Sequence, residues 1–182
     1  MSEILPLINH GHKHFGENKI QESLEKWSNI KDDFHEIKLH MIGNIQTNKV
    51  KFLLPLFDYI HSLDSLKLAK KISSEQQKKK KKPKIFIQIN IGNEIQKNGI
   101  SADNLKIFYQ TCINELDLDI VGIMCLPPKN EDSLAYFNKM KKLANSIGVK
   151  ELSMGMSADY IEASENGSSF LRIGSKIFGS RA

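Results

Sequence analysis

Residues 1–18, "MSEILPLINHGHKHFGEN", decide how the rest of the chain is counted, because they place a helix before the first strand. Apolar residues between positions 4 and 8 crowd one side of a short helix, and Gly11 stands where such a helix would end. Residues 13–18 then read as a strand. If strand and helix alternate from here on, an element is expected before this helix.

The remaining sequence does alternate. Short apolar runs predict seven strands, at 13–18, 38–44, 59–64, 85–90, 120–125, 151–156 and 171–178. Amphipathic stretches between them predict helices, at 18–27, 46–57, 64–72, 103–116, 131–147 and 158–167. Such alternation indicates βαβ units and a parallel sheet. A (β/α)8 barrel has eight strands, so this pattern is one strand short at the N-terminal end. An open doubly wound sheet remains an alternative on the pattern alone.

Three helix boundaries have recognisable signals. Ser101 and Ser157 are predicted N-caps, and each is followed two residues later by an aspartate that favours a helix start. Gly148 lies just past a predicted helix, where glycine tolerates the left-handed conformation that ends helices.

Length and composition predict one globular domain over residues 1–182. No apolar run reaches the roughly 20 residues that span a bilayer, and no secretory signal opens the chain. Two cysteines outside any C-x-x-C pair favour a reducing, cytoplasmic setting. The net charge of +5 equals the five consecutive lysines Lys78–Lys82, so we expect a solvated loop or helix end there and no binding to nucleic acid or membrane.

The last two predicted strands carry the clearest candidate site. Arg172 lies in an apolar stretch and needs a partner, which is either a core carboxylate or a ligand. Gly174 would let a ligand approach the backbone, and Ser175 offers an N–H and a hydroxyl. Barrels commonly bind phosphate in the loops after their last two strands.

Two other groups of residues are weaker candidates. His10, His12 and His14 alternate along the chain, but they straddle a predicted turn and no carboxylate falls in register, which disfavours a metal site. Cys125 on a strand could be a nucleophile, but it is more simply a small buried apolar residue.

Seven motifs match one known family, in order and over nearly the whole chain. They are "HFGENKIQE", "HMIGNIQTNK", "IHSLD", "IQINIGNEIQKNGI", "VGIMCLPP", "LSMGMSADYIEA" and "GSSFLRIGSKIFG". With them the chain resembles the pyridoxal phosphate homeostasis family, also called the YggS or proline synthase co-transcribed family. The resemblance implies a (β/α)8-type TIM barrel of the alanine racemase N-terminal type, lacking its first strand. It also implies a cytoplasmic vitamin B6 protein without robust enzymatic activity that binds, stores or delivers pyridoxal 5′-phosphate (PLP).

The resemblance assigns roles to five residues. Arg172 would face the pyridine nitrogen of PLP, Asn18 would lie near the ring, and Ser157, Gly174 and Ser175 would hold the phosphate. An arginine at the ring nitrogen discourages its protonation and restrains carbanion chemistry, which suits a carrier.

One element of the family pattern is absent from this sequence. Family members bind PLP through a lysine on a strand before the helix that corresponds to residues 2–8. We therefore expect an N-terminally truncated member that binds PLP without a covalent bond. Its open strand edges predict self-association, and PLP-accepting apo-enzymes are the expected partners. A racemase-like PLP enzyme and an inactive truncated fragment remain alternatives.

Overall fold

The computed structural model describes residues 2–179 except positions 29, 32, 95 and 130. Seven parallel strands form one sheet, in which each strand pairs with the next along the chain. Their bounds are β1 His14–Glu17, β2 Lys38–Met41, β3 Tyr59–Leu63, β4 Lys84–Ile89, β5 Asp119–Cys125, β6 Glu151–Met156 and β7 Phe170–Arg172.

Helices precede β1 and follow every strand. Their bounds are α1 Leu5–Asn9, α2 Ile20–Trp27, α3 Val50–Leu56, α4 Leu66–Lys79, α5 Leu105–Asn114, α6 Ser133–Ile147, α7 Tyr160–Glu165 and α8 Ser175–Phe178. Single 3₁₀ turns at Thr47–Lys49 and Ala102–Asn104 lead into α3 and α5. In the described ranges, no helix has the length and apolar character of a membrane span.

The strand order shows a nearly closed barrel. A doubly wound sheet reverses its strand order at a switch point, whereas the order here runs from β1 to β7 without reversal. The ring of His14 on β1 also lies 6.0 Å from the ring of Phe170 on β7, so the first and last strands face each other across the interior. The barrel prediction is therefore confirmed, and the doubly wound alternative is wrong.

The helix-facing side of the sheet carries most of the apolar core. On β1, Phe15 packs its ring 5.3 Å from that of the fully buried Trp27 on α2. Glu17 points to the same side, where its carboxylate accepts hydrogen bonds from Trp27 at 2.8 Å and Lys26 at 2.7 Å. The alternate residues of each strand consequently face the barrel interior.

The predicted last strand, 171–178, is too long. The strand ends at Arg172, and the carbonyl of Gly174 accepts the N–H groups of Ile177 at 2.9 Å and Phe178 at 2.8 Å. These bonds close a helical turn, α8, so the apolar residues at its end belong to a short helix.

The helix signals have mixed outcomes. Gly148 ends α6 with a φ of 75°, as predicted. Ser101 precedes the 3₁₀ turn without a side-chain cap bond. The prediction for Ser157 is wrong, because α7 begins at Tyr160 and its N-cap is Asp159, two residues after Ser157.

The lysine run is a helix end, as expected, but it is not simply solvated. Lys78 and Lys79 complete α4, and Lys80 adopts the left-handed conformation with a φ of 51°. Lys81 then donates to the carbonyl of Pro55 at 3.0 Å, and Lys82 pairs with Asp117 at 2.6 Å. These contacts tie the run to neighbouring loops.

Candidate functional site

Arg172 is the last residue of β7 and reaches into the barrel interior. Its Nη1 donates to Ser153 Oγ at 2.6 Å, and its Nη2 donates to the carbonyl of Cys125 at 2.8 Å. In the described part of the chain, no carboxylate forms an ion pair with this guanidinium. Burial lowers the pKa of Arg172, yet arginine remains cationic at physiological pH. The site therefore presents a cation whose described partners are both neutral.

The second part of the site joins the loop after β6 to the start of α8. Ser157 Oγ accepts the backbone N–H of Gly174 at 3.3 Å and that of Lys176 at 3.4 Å. Both distances exceed the usual 2.7–3.2 Å range, so these donors are weakly satisfied. None of the described hydrogen bonds uses the N–H of Ser175. The structure thus brings Ser157 and Gly174 together, and Ser175 follows directly.

Gly174 also leaves space at this point. A Cβ added there would meet no atom within 4 Å, so the backbone is open to an approaching group. Two N–H groups that converge on Ser157 Oγ through long bonds, with the N–H of Ser175 between them in the chain, suit an anion, because a charged oxygen accepts stronger hydrogen bonds than a hydroxyl.

Asn18 lies at the carboxyl end of β1, where its side chain is exposed. Its backbone carbonyl comes so near to Gly43 that a Cβ at position 43 would lie 2.1 Å from the Asn18 oxygen. Glycine at this position therefore lets the ends of β1 and β2 approach. The described hydrogen bonds do not join Asn18 to Arg172 or to Ser157, and its role remains a prediction.

The barrel interior holds a set of side chains whose association the sequence did not reveal, although His14 was a weak candidate for a metal ligand. His14 on β1, His40 on β2 and His61 on β3 are hydrogen-bonded in succession, and His61 continues to Ser153. Successive ring nitrogens are 2.9 Å apart, and His61 Nδ1 is 2.8 Å from Ser153 Oγ. The one usable signal was the position of each histidine at an inward-facing place of a predicted strand.

These imidazoles are held in the neutral form. Burial lowers the pKa of His40 to about 3, and the neighbouring His14 adds to the effect. The pKa of His61 lies well below its usual range because of burial, with His40 and Arg172 contributing. His14 is less enclosed, and burial lowers its pKa as well.

The two weaker candidate groups lack, in the described residues, the surroundings typical of a reactive thiol or of a metal site. Cys125 is fully buried, and burial raises the pKa of its thiol to about 12, so its side chain is the small apolar residue that was expected. His12 Nε2 bonds the carbonyl of His14 at 2.7 Å, while His10 lies in the turn after α1. In the described ranges, no cluster of potential ligands could hold a metal ion.

Comparison with known proteins places these features in a family. The whole chain, residues 1–182, matches the family described as alanine racemase, N-terminal domain. The pyridoxal phosphate homeostasis protein of Aquifex aeolicus is 36% identical over 98% of this chain and 81% of its own length. The protein of the same name from Bos taurus is 35% identical over 98% of this chain and 72% of its own length.

Solved structures agree with the fold and the family. PipY of Synechococcus elongatus without PLP superposes with a TM-score of 0.92 at 28% identity, covering 98% of this chain and 87% of PipY. PipY with PLP bound gives a TM-score of 0.88 at 27% identity. An alanine racemase from Bartonella henselae shares the fold, with a TM-score of 0.74 at 15% identity over 48% of its length. The chain therefore belongs to the alanine racemase N-terminal domain family and, within it, to the pyridoxal phosphate homeostasis proteins.

Proposed function

We propose that this chain, as a single domain over residues 1–182, binds PLP at the carboxyl end of its barrel and takes part in cytoplasmic PLP homeostasis without being an enzyme. The observation that carries the proposal is the guanidinium of Arg172, held by two neutral acceptors beside weakly satisfied N–H groups. The naming of the curated relatives and the PLP-bound structure of PipY support it.

The phosphate would take the place that Ser157 Oγ fills in part. The N–H groups of Gly174 and Lys176 already aim at one point, and that of Ser175 is adjacent. A dianionic phosphate oxygen accepts shorter and stronger bonds than a hydroxyl. The hydroxyl of Ser157 would then turn from acceptor to donor.

The pyridine nitrogen would face Arg172. A fixed cation there keeps the nitrogen unprotonated, and an unprotonated ring withdraws electrons less strongly. PLP supplies electrophilic and electron-withdrawing chemistry when it is bound, and this arrangement restrains that chemistry. The role proposed for Arg172 therefore favours a carrier over a catalyst. Asn18, at the end of β1, is proposed to lie near the ring.

Binding without a covalent bond is part of the proposal. Lys176 contributes its backbone N–H to the proposed phosphate site, whereas its ammonium lies over the ring of Tyr160, 4.7 Å from the ring centre. Phosphate and ring contacts would then supply the affinity. Reversible binding suits a protein that releases PLP to apo-enzymes, which we propose as its partners.

Equilibrium dialysis with PLP and with pyridoxal, which lacks the phosphate, tests the site. We expect PLP to bind at least tenfold more tightly than pyridoxal, and Ser157→Ala to remove most of that preference. Arg172→Gln should weaken both ligands by about ten- to a hundredfold, the value of a charge-assisted hydrogen bond. Ser146→Ala, at an exposed serine on α6, is the matched control and should change neither affinity.

Release and reactivity complete the test. Denaturation should free all the bound PLP, and the loaded protein should reactivate a PLP-dependent apo-enzyme. Equal affinity for PLP and pyridoxal would contradict the phosphate site, and D-alanine formed from L-alanine would contradict the non-enzymatic role.

A further inference from the structure

A continuous chain of hydrogen bonds crosses the barrel interior from Arg172 to His14. Arg172 Nη1 contacts Ser153 Oγ at 2.6 Å, and Ser153 Oγ contacts His61 Nδ1 at 2.8 Å. His61 Nε2 contacts His40 Nδ1 at 2.9 Å, and His40 Nε2 contacts His14 Nδ1 at 2.9 Å. The chain therefore links strands β7, β6, β3, β2 and β1 in one network.

The direction of the first bond is fixed by chemistry. A guanidinium has N–H donors and no acceptor, so Ser153 Oγ must accept from Arg172. Ser153 is fully buried, and its described hydroxyl partners are Arg172 and His61. If His61 also donated to this oxygen, the serine hydrogen would be buried without an acceptor, which is disfavoured. The hydroxyl of Ser153 therefore donates to His61 Nδ1.

That direction propagates through the three rings. A neutral imidazole has one N–H, so His61, which accepts at Nδ1, carries its hydrogen on Nε2 and donates it to His40. His40 accepts at Nδ1 for the same reason and donates from Nε2 to His14. All three rings then have the same tautomer, with the hydrogen on Nε2.

Aromatic packing holds the rings in this geometry. Tyr59 stacks on His40 at 4.2 Å between ring centres and 9° between planes, and Phe86 stacks on His61 at 4.3 Å and 14°. Phe170 contacts His14, His40 and His61, at 6.0, 5.3 and 5.7 Å between ring centres. Rings packed on several sides cannot turn to exchange their nitrogens without displacing a neighbour.

The charges that face this chain also favour neutral rings. The pKa of His14 is lowered by Lys38, His12 and Lys13 at one end of the chain, and the pKa of His61 is lowered by Arg172 at the other end. Asp58 raises the pKa of His14 and of His40, but its carboxylate is paired with the ammonium of Lys31 at 2.9 Å. The balance of these groups is positive.

We propose that Ser153, His61 and His40 are positioning residues for Arg172, forming a hydrogen-bond chain whose single direction is set by the guanidinium. The chain gives Nη1 one fixed acceptor, and with Nη2 held by the carbonyl of Cys125 it fixes the orientation of the guanidinium. The link to ligand binding rests on the function proposed above, in which Arg172 faces the pyridine nitrogen. The direction of the chain does not depend on that function.

The direction is tested without PLP, by ¹⁵N NMR of the imidazole rings in the intact protein. We expect His61, His40 and His14 all to carry hydrogen on Nε2 at pH 7.5. Arg172→Met removes the obligatory donor, so Ser153 is free to accept from His61 and a mixture of tautomers should appear. His35→Gln, at an exposed histidine, is the control and should leave the three rings unchanged. Hydrogen on Nδ1 of His40 or His61, or tautomers unaffected by Arg172→Met, would overturn the proposal.

The positioning role is tested with a ligand that lacks the ring nitrogen. We expect the wild-type protein to prefer PLP over 1-deaza-PLP, and Ser153→Ala to reduce this preference about fivefold or more while phosphate-dependent binding persists. Ser153→Thr retains the hydroxyl and should restore the preference. A preference unchanged in a folded Ser153→Ala variant contradicts the positioning role. Failure of the wild-type protein to bind either compound contradicts the proposed function instead, and the NMR result then decides on the chain by itself.

Discussion

His40 and His61 are polar residues in a position where most barrels have apolar ones. Their relative exposures are 4% and 1%, and each ring has a hydrogen-bond partner on both nitrogens. The uncharged ring is the form that tolerates such burial, because an imidazolium would lose its hydration. Each pKa in the folded protein is consequently far below the unfolded value of 6.5.

These two histidines should make stability depend on pH. A histidine with a lowered pKa in the folded state takes up a proton more readily when unfolded, so the unfolding free energy falls as the pH drops below 6.5. Each neutral imidazole contributes about 1.4 kcal/mol per pH unit, and the decline continues toward the folded-state pKa of about 3 for His40. We expect urea denaturation to give an unfolding free energy about 3 kcal/mol lower at pH 5.5 than at pH 7.5.

Single variants separate this effect from general acid sensitivity. His40→Asn should lower stability at pH 7.5 and reduce the loss between pH 7.5 and 5.5 by about half, because one of the two buried imidazoles is gone. His35→Asn replaces an exposed histidine and should leave the full loss in place. A pH-independent unfolding free energy in the wild-type protein would show that the two rings take up protons equally in the folded and unfolded states, so that burial does not lower their pKa.

Strand and helix meet closely where β6 turns into α7. Gly155 has a φ of 88°, and a Cβ there would lie 2.4 Å from Cβ of Ala163 on α7. Glycine satisfies both the left-handed backbone and the close approach. In the chain, Gly155 lies between Ser153, whose hydroxyl accepts from Arg172, and Ser157, whose hydroxyl accepts N–H groups at the start of α8.

Gly155→Ala should therefore destabilise the protein by about 2–4 kcal/mol, the sum of backbone strain and overpacking. Gly148→Ala is the matched control, because Gly148 has a similar φ of 75° but no atom within 4 Å of an added Cβ. It should cost about 1 kcal/mol, the backbone part alone. Urea denaturation at pH 7.5 measures both values, and equal losses would mean that α7 moves away from β6 at no cost.

Elements were predictable where burial and periodicity agree, as in β4 and α6. The last predicted strand failed because Ile177 and Phe178 resemble core residues in sequence, whereas they are 53% and 39% exposed in α8. The N-cap prediction for Ser157 failed because its hydroxyl oxygen accepts the N–H of Gly174, which precedes α8 and lies 17 residues further along the chain. Such long-range partners leave no local pattern.

The candidate site was predictable only in part, for a related reason. Arg172 stood out because a charge in an apolar strand is conspicuous in any sequence. His40 and His61 did not, and His14 stood out only as a candidate metal ligand, since a polar residue at every second strand position also describes an ordinary half-exposed sheet. Their hydrogen bonds exist because the barrel curves and brings inward-facing side chains of separate strands together.

At the scale of the whole molecule, β1 and β7 are the two ends of the strand order, and each pairs with one neighbour. The carbonyls of Lys13 and Glu17 accept N–H groups at the two ends of β2. Because backbone groups alternate in direction along a parallel strand, those of His14 and Gly16 point away from β2, toward the unpaired edge. One of them, the His14 carbonyl, accepts from His12 Nε2. Edges with free backbone groups pair readily with other edges, and charged side chains oppose such pairing.

We therefore expect sedimentation velocity to show association that increases with protein concentration and involves the β7 edge. Leu171 on β7 is 37% exposed, and Leu171→Lys should shift the protein toward monomer by placing a charge on that edge. Ile107→Lys is the matched control, because Ile107 on α5 is 69% exposed and lies away from both edges. If the two variants reduce association equally, general surface hydrophobicity is responsible for it. If the wild-type protein sediments as a monomer at every concentration, the prediction is wrong and the two edges are protected within one chain. The contact between the rings of His14 and Phe170 across the opening would then be part of that protection.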